Sequence, residues 1–114
     1  MMFAALLLQA ALPGEPTVLD VEANRYTCQL AEYRLARFLH QWQTQLTRRI
    51  TNRRHMLRFR QISDQIARPH LDGIRGSMRD GDPGWVCDRI AQQGIDTLRR
   101  DAIRPIFGDE QVVP

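Results

Sequence analysis

The sequence of 114 residues lacks the short motifs by which many enzymes are recognised. It contains no HExxH or CxxC spacing for a metal and no glycine-rich loop for phosphate, and neither Ser63 nor Ser77 lies in a GxSxG or SxxK context. A thiol enzyme based on Cys87 is a further possibility, but an apolar helical face surrounds this residue and favours a structural role. We therefore expect a non-enzymatic protein without a metal or cofactor.

Long hydrophobic runs are also scarce. The apolar run from Phe3 to Leu12 is far shorter than the roughly 20 residues of a membrane-spanning helix. Its length fits the core of a secretory signal peptide, although no positive residue precedes it and no small-x-small cleavage site follows it. We treat residues 1–14 as an incomplete signal-like segment and favour export over the alternative, a short N-terminal helix of a cytosolic protein.

Strand patterns are absent as well, because no stretch keeps an alternation of polar and apolar residues. Helical spacing is strong instead, and we expect Asp20 or Asn24 to cap the first helix. Past Ile50 the apolar stripe fails, and a second set of apolar residues is rotated relative to the first. This rotation predicts a break near residues 51–54, with Thr51 or Asn52 as the next cap. The two apolar sets are Cys28, Ala31, Leu35, Phe38, Leu39, Trp42, Leu46 and Ile50, then Met56, Phe59, Ile62 and Ile66.

The second half of the chain contains the residues that usually end helices. We expect Pro69 to stop the second helix, a short third helix over residues 71–78, and a turn at residues 80–84. Asp82 should cap a last helix that begins at Pro83 and ends near Arg100, with Gly94 at a close helix contact. Its apolar face comprises Cys87, Ile90, Ala91, Gly94, Leu98 and Ala102.

These patterns together predict an all-α fold, a small antiparallel bundle of three to four helices with one long basic amphipathic helix broken near residues 51–54. The domain should cover residues 18–104, followed by a tail at residues 105–114. In this topology Cys28 and Cys87 would lie at the same end of the bundle and face its core. The pair is therefore a disulfide candidate, although two reduced thiols in a cytosolic protein would give the same count.

The three histidines are spaced by 15 residues, at His40, His55 and His70. Aligning the three segments reveals no repeat, and no metal-binding spacing accompanies them. We interpret them as isolated surface histidines.

The positive charge is concentrated in one segment. Residues 33–63 hold eight arginines and no carboxylate, so this segment has a charge of +8. Because the net charge of the chain is +3, the remaining residues together have a charge of −5. We call six of these arginines, which surround the predicted break, the basic cluster. Its members are Arg48, Arg49, Arg53, Arg54, Arg58 and Arg60.

Guanidinium groups bind carboxylates and phosphates, so the basic cluster indicates an anionic partner. The alternative is a solvated basic face that pairs with acids of neighbouring helices, Asp64, Asp72, Asp96 and Asp101. We predict an exported binding or accessory protein that contacts an acidic protein or an anionic envelope surface. The second hypothesis is a cytosolic nucleic-acid-binding protein that contacts phosphates with the same arginines.

Overall fold

The computed structural model describes residues 17–102, which form three α-helices and contain no strand. The helices are α1 (Val18–Thr47), α2 (Arg53–Asp80) and α3 (Gly84–Asp101), and each packs against the other two. No helix in this part of the chain has a stretch long and apolar enough to cross a bilayer. The all-α prediction is confirmed. The signal-like segment and the tail lie outside the described residues.

Contacts between helices define how they run. Gln43, late in α1, donates a hydrogen bond to Asp64, early in α2, with 2.8 Å between Nε2 and Oδ1. Glu32, earlier in α1, pairs with Arg75, late in α2, at 2.8 Å between Oε2 and Nε. Because the later residue of α1 pairs with the earlier residue of α2, and the earlier with the later, α1 and α2 are antiparallel.

The start of α1 differs from the prediction. Thr17 is the N-cap, and its Oγ1 accepts a hydrogen bond from the Asp20 backbone N–H at 3.1 Å. The Asp20 carboxylate in turn accepts from the Thr17 N–H at 3.2 Å, which completes a capping box. Asn24 has another role, because its Oδ1 accepts from the backbone N–H of Gly84 at 3.0 Å. The prediction that Asp20 or Asn24 is the cap is therefore wrong.

The predicted break between two helices is present, but it begins earlier than expected. α1 ends at Thr47 and α2 begins at Arg53. Asn52, one of the two predicted caps, is the N-cap of α2, and its Oδ1 accepts from the N–H groups of Arg54 at 2.9 Å and His55 at 3.3 Å. The short connection returns the chain alongside α1.

Pro69 does not end α2, which continues to Asp80, so the predicted stop and the separate helix over residues 71–78 are wrong. A proline inside a helix removes one backbone hydrogen bond and costs about 3 kcal/mol. Ala67 and Ile74, on either side of Pro69, are both fully buried. Burial of this face against the other helices offsets the cost of the proline, since tertiary packing overrides local propensity.

The predicted turn after α2 is present. Gly81 ends the helix with a φ of 72°, the left-handed conformation that glycine adopts without strain. Its N–H bonds to the Met78 carbonyl at 3.3 Å, and the Asp82 N–H bonds to the Ser77 carbonyl at 3.0 Å. Pro83 occupies the N-cap position of α3, without a side-chain cap bond. The prediction that Asp82 caps this helix is therefore wrong by one residue.

The core face of α3 agrees with the prediction at its central positions. A Cβ atom built on Gly94 would lie 3.0 Å from both Cδ atoms of Leu35 and 3.1 Å from Cγ of His70, so the predicted close contact is present. Ile90 is only partly buried. The fully or nearly buried residues of this face are Cys87, Ala91, Gly94, Ile95, Leu98 and Ala102.

The buried face of α2 is centred differently from the prediction. Phe59 is fully buried as expected, whereas the remaining members of the predicted set are partly buried. Ser63 occupies the centre of the face and is fully buried. Its hydroxyl donates to the Phe59 carbonyl at 2.8 Å and accepts from Nε2 of Gln43 at 2.8 Å. A serine is tolerated there because both of its hydrogen-bonding functions are satisfied.

The two cysteines lie at one end of the bundle, fully buried and facing the core. Cys28 of α1 and Cys87 of α3 are at disulfide-bonding distance, with 5.0 Å between their Cα atoms. Their proximity, with that of Asn24 and Gly84 one turn earlier, shows that α1 and α3 are parallel. We call this part of the bundle the disulfide end.

Candidate anion-binding site

The basic cluster lies at the opposite end of the bundle from the cysteines. Arg48 and Arg49 follow the last residue of α1, and Arg53 opens α2. The other three members belong to the first turns of α2. All six side chains are exposed. We call this part of the bundle the basic end.

The acids that were considered as partners of the basic cluster are engaged elsewhere. Among residues 17–102, no carboxylate forms an ion pair with Arg48, Arg53, Arg54, Arg58 or Arg60. Each acid has a different partner: Gln43 for Asp64 (2.8 Å), Arg75 for Asp72 (3.9 Å), Gln92 for Asp96 (3.0 Å) and Arg100 for Asp101 (3.1 Å).

The arginines at the start of α2 oppose the local electrostatics of the helix. The first turn of α2 contains no acid. A cation near a helix N-terminus is repelled by the positive end of the helix dipole, and this repulsion destabilises the helix by about 0.3–1 kcal/mol. Arg54 and Arg58 are also four residues apart on one helix, a spacing at which like charges repel. These arginines do not stabilise the helix that carries them.

The end of α3 shows the contrasting arrangement. Arg100 lies in the last turn, where a cation is favoured by the dipole. Its side-chain hydrogen bond to Asp101, together with the attraction of that carboxylate, raises the pKa of the Arg100 guanidinium. A cation placed in this way is compensated within the chain.

The arginines of residues 33–63 do not all have the same role. Arg34 donates hydrogen bonds to Oε1 of Gln92 at 2.9 Å and to the Asp88 carbonyl at 3.2 Å, so it links α1 to α3. It is remote from the basic cluster along α1. What distinguishes the arginines near the break is their density, because residues 48–60 contain six arginines and no carboxylate.

A groove between the ends of α1 and α3 adjoins the basic cluster and was not predicted from the sequence. Its volume is about 700 Å³. The aromatic rings of Phe38 and Trp42 stack along one wall, with centroids 5.5 Å apart and planes inclined by 20°. The guanidinium of Arg99 lies over the Phe38 ring, 5.1 Å from its centroid. The lining residues are Phe38, Gln41, Trp42, Gln45, Arg48, Arg49 and Arg99.

Trp42 contributes an unsatisfied donor to this region. Its side chain was assigned to the core by its spacing, and the residue is only 7% exposed. The indole Nε1 is buried and has no hydrogen-bond partner among the described residues. Buried polar groups are nearly always paired, so this N–H requires an explanation.

The histidines do not converge. His40 and His55 are exposed, as predicted, but His70 is half-buried, with its Nδ1 2.9 Å from the Ile66 carbonyl oxygen. The prediction of a surface position for His70 is wrong, because α2 continues past Pro69 and turns this residue towards Gly94. Within residues 17–102 no group of three or more potential ligands could hold a metal ion.

Comparison with known proteins finds no family model, no curated protein and no solved structure that matches this chain.

Proposed function

We propose that this chain is a small exported helical binding or accessory protein whose basic cluster contacts an acidic protein or an anionic envelope surface. The observation that supports this proposal is the lack of compensation at the basic end. Five arginines there have no carboxylate partner within the described chain, and two of them, Arg53 and Arg54, lie in the first turn of α2 at the positive end of its dipole. Such an arrangement opposes folding slightly and favours an anion supplied from outside.

Export is supported by the cysteine geometry. Disulfides persist in oxidising compartments and are rare in the cytosol, and Cys28 and Cys87 are at bonding distance in the core. The intact mass of protein from its native host tests this part. We expect a mass lacking about the first 14 residues, with a gain of two hydrogens on reduction. A full-length chain with two titratable thiols would contradict export.

The cytosolic nucleic-acid-binding hypothesis uses the same arginines and differs in partner and compartment. Helical arginine clusters bind phosphates, and such binding weakens steeply with salt. We rank it second because a cytosolic protein would keep the two buried cysteines reduced.

The basic-cluster proposal is tested with two variants that remove the same charge. One changes Arg48, Arg53, Arg54 and Arg58 to glutamine. The matched control changes four exposed arginines elsewhere to glutamine, namely Arg25, Arg68, Arg79 and Arg89. Binding to polyglutamate, to anionic lipid vesicles and to single-stranded RNA is measured at about 0.15 M salt.

We expect the basic-cluster variant to bind polyglutamate or vesicles on the order of tenfold more weakly than wild type, as four exposed ion pairs of about 0.2–1 kcal/mol each would give. The control should lose much less. Equal losses in both variants would show that net charge alone drives binding and would contradict the proposal. Tight binding to RNA alone would favour the second hypothesis.

A further inference from the structure

The groove beside the basic cluster has a feature that a purely electrostatic surface does not need. Trp42 is more than nine-tenths buried, and its indole N–H has no acceptor within the described chain. Leaving a buried donor unpaired costs about 1–3 kcal/mol. The N–H is sealed from solvent in this structure, so an acceptor from a bound molecule would remove this cost only if the side chains around Trp42 shift on binding.

The groove walls combine apolar and cationic groups. Phe38 and Trp42 form a stacked aromatic wall, and Arg99 is held over Phe38 at 5.1 Å from the ring centroid. This cation–π contact restricts the guanidinium before any ligand binds. Arg48 lines the same groove and has no carboxylate partner among residues 17–102. An apolar group flanked by carboxylates would complement these walls.

Two glutamines complete the lining. Gln41 and Gln45 lie one turn apart on α1, and both side chains face the groove. A carboxamide provides two donors and an acceptor, so it can pair with both the N–H and the C=O of a peptide bond. Such groups suit a polypeptide better than a phosphate, which only accepts hydrogen bonds.

The shape of the site also separates partner classes. A concave groove of about 700 Å³ matches an inserted side chain with its neighbours rather than a flat bilayer surface. Single-stranded nucleic acids stack their bases on exposed aromatic faces. Of the two rings in this groove only Phe38 is partly exposed, so the wall can hold one inserted side chain but not a run of stacked bases. A peptide segment is therefore the occupant that the groove fits.

We infer that this groove binds an acidic peptide segment of a partner protein that inserts an apolar side chain against Phe38 and Trp42. Carboxylates on either side of the inserted residue pair with Arg48 and Arg99. The side chains that line the groove shift as the peptide enters, and a peptide carbonyl then accepts from the Trp42 indole N–H. This inference rests on the proposed function, since it names the partner class and adds a specific pocket to the charge contacts.

The test uses a capped hexapeptide with a central phenylalanine flanked by glutamates, and a copy with alanine in place of the phenylalanine. The indole N–H signals of the intact, oxidised protein are followed by NMR during titration. Trp85 lies near the disulfide end and is 62% exposed, so its signal is an internal control. We expect the Trp42 indole signal to move downfield and the Trp85 signal to stay fixed.

Affinity measurements extend the test. Trp42→Phe removes the N–H and keeps most of the apolar volume, so the phenylalanine peptide should bind about threefold to tenfold more weakly, the effect of one hydrogen bond. Trp85→Phe should bind as wild type does. The alanine peptide should bind more weakly than the phenylalanine peptide to wild-type protein.

Two results would overturn the inference in distinguishable ways. Equal affinity for both peptides with an unmoved Trp42 signal would show that the groove is not part of the binding site. The proposed binding of anions by the basic cluster would still stand. No binding of either peptide, together with no binding of polyglutamate or anionic vesicles, would remove the proposed function as well. The wild-type titration is informative even if Trp42→Phe does not fold.

Discussion

The two ends of the bundle differ in how their interactions are satisfied. At the disulfide end, Cys28 and Cys87 are fully buried, and the side chain of Asn24 caps the first N–H of α3. A Cβ built on Gly84 would lie 2.6 Å from Cβ of Thr27, so the helices approach as closely as glycine permits. At the basic end, Arg48, Arg53, Arg54, Arg58 and Arg60 have no acid partner among residues 17–102, and the Trp42 indole has no acceptor there.

This difference suggests that one end of the bundle stabilises the fold and the other end binds a partner. The disulfide end holds the cysteine pair and the close approach of Gly84 to Thr27, while apolar burial extends along the whole bundle, with Leu46, Phe59 and Leu98 buried towards the basic end. The basic end carries charges that contribute little to folding and that an external anion would complement. Interactions left unsatisfied in a stable fold are often the ones reserved for a partner.

The largest expected effect concerns the disulfide. Reducing Cys28 and Cys87, which are 59 residues apart, should lower the free energy of unfolding by about 4 kcal/mol. Urea unfolding with and without reductant measures it, and C28A/C87A should match the reduced protein. A decrease in the free energy of unfolding below about 1 kcal/mol would show that the cysteine pair does not stabilise this end of the bundle.

The next effect tests how tightly the disulfide end is packed. Gly84→Ala places a methyl group 2.6 Å from Cβ of Thr27 and should cost about 1–3 kcal/mol of stability. Gly76→Ala is the control, since its nearest contact would be the Arg79 guanidinium at 4.0 Å. There the better helix propensity of alanine should add up to about 1 kcal/mol. Similar stability changes in the two variants would mean that α1 and α3 separate easily.

The smallest effect concerns the basic end and has the opposite sign. Arg54→Glu removes a cation from the positive end of α2 and relieves repulsion with Arg58, so unfolding should become harder by about 0.5–1 kcal/mol. The same variant should bind polyglutamate more weakly. Arg100→Gln is the comparison, because losing the bond to Asp101 should lower stability slightly. A destabilised Arg54→Glu protein would mean that the basic cluster serves the fold.

Much of the fold follows from the sequence because apolar spacing is a strong signal in α1 and α3. The stripe predicted from Cys28 to Ile50 corresponds to α1, which ends at Thr47, and the break predicted near residues 51–54 corresponds to the connection before Arg53. Pro69 was misread, since local propensity does not include the burial of Ala67 and Ile74 on either side of it. The rule for proline describes an isolated helix, whereas this one is held by two neighbours.

The candidate site was only partly predictable. Charge density identified the basic cluster, because charge is visible residue by residue. The groove depends on how the end of α1 lies beside the end of α3, which brings Arg99 over Phe38 across a long sequence separation. Spacing placed Trp42 in the core correctly, but it gave no sign that its N–H would lack a partner.

The most direct test of this division between the two ends is a residue-resolved NMR titration of the oxidised protein with polyglutamate at about 0.15 M salt. We predict backbone shift changes confined to residues 48–60 and the end of α3, together with the indole signal of Trp42. Changes centred on residues 17–28 or on the indole of Trp85 would place binding at the disulfide end and contradict the account.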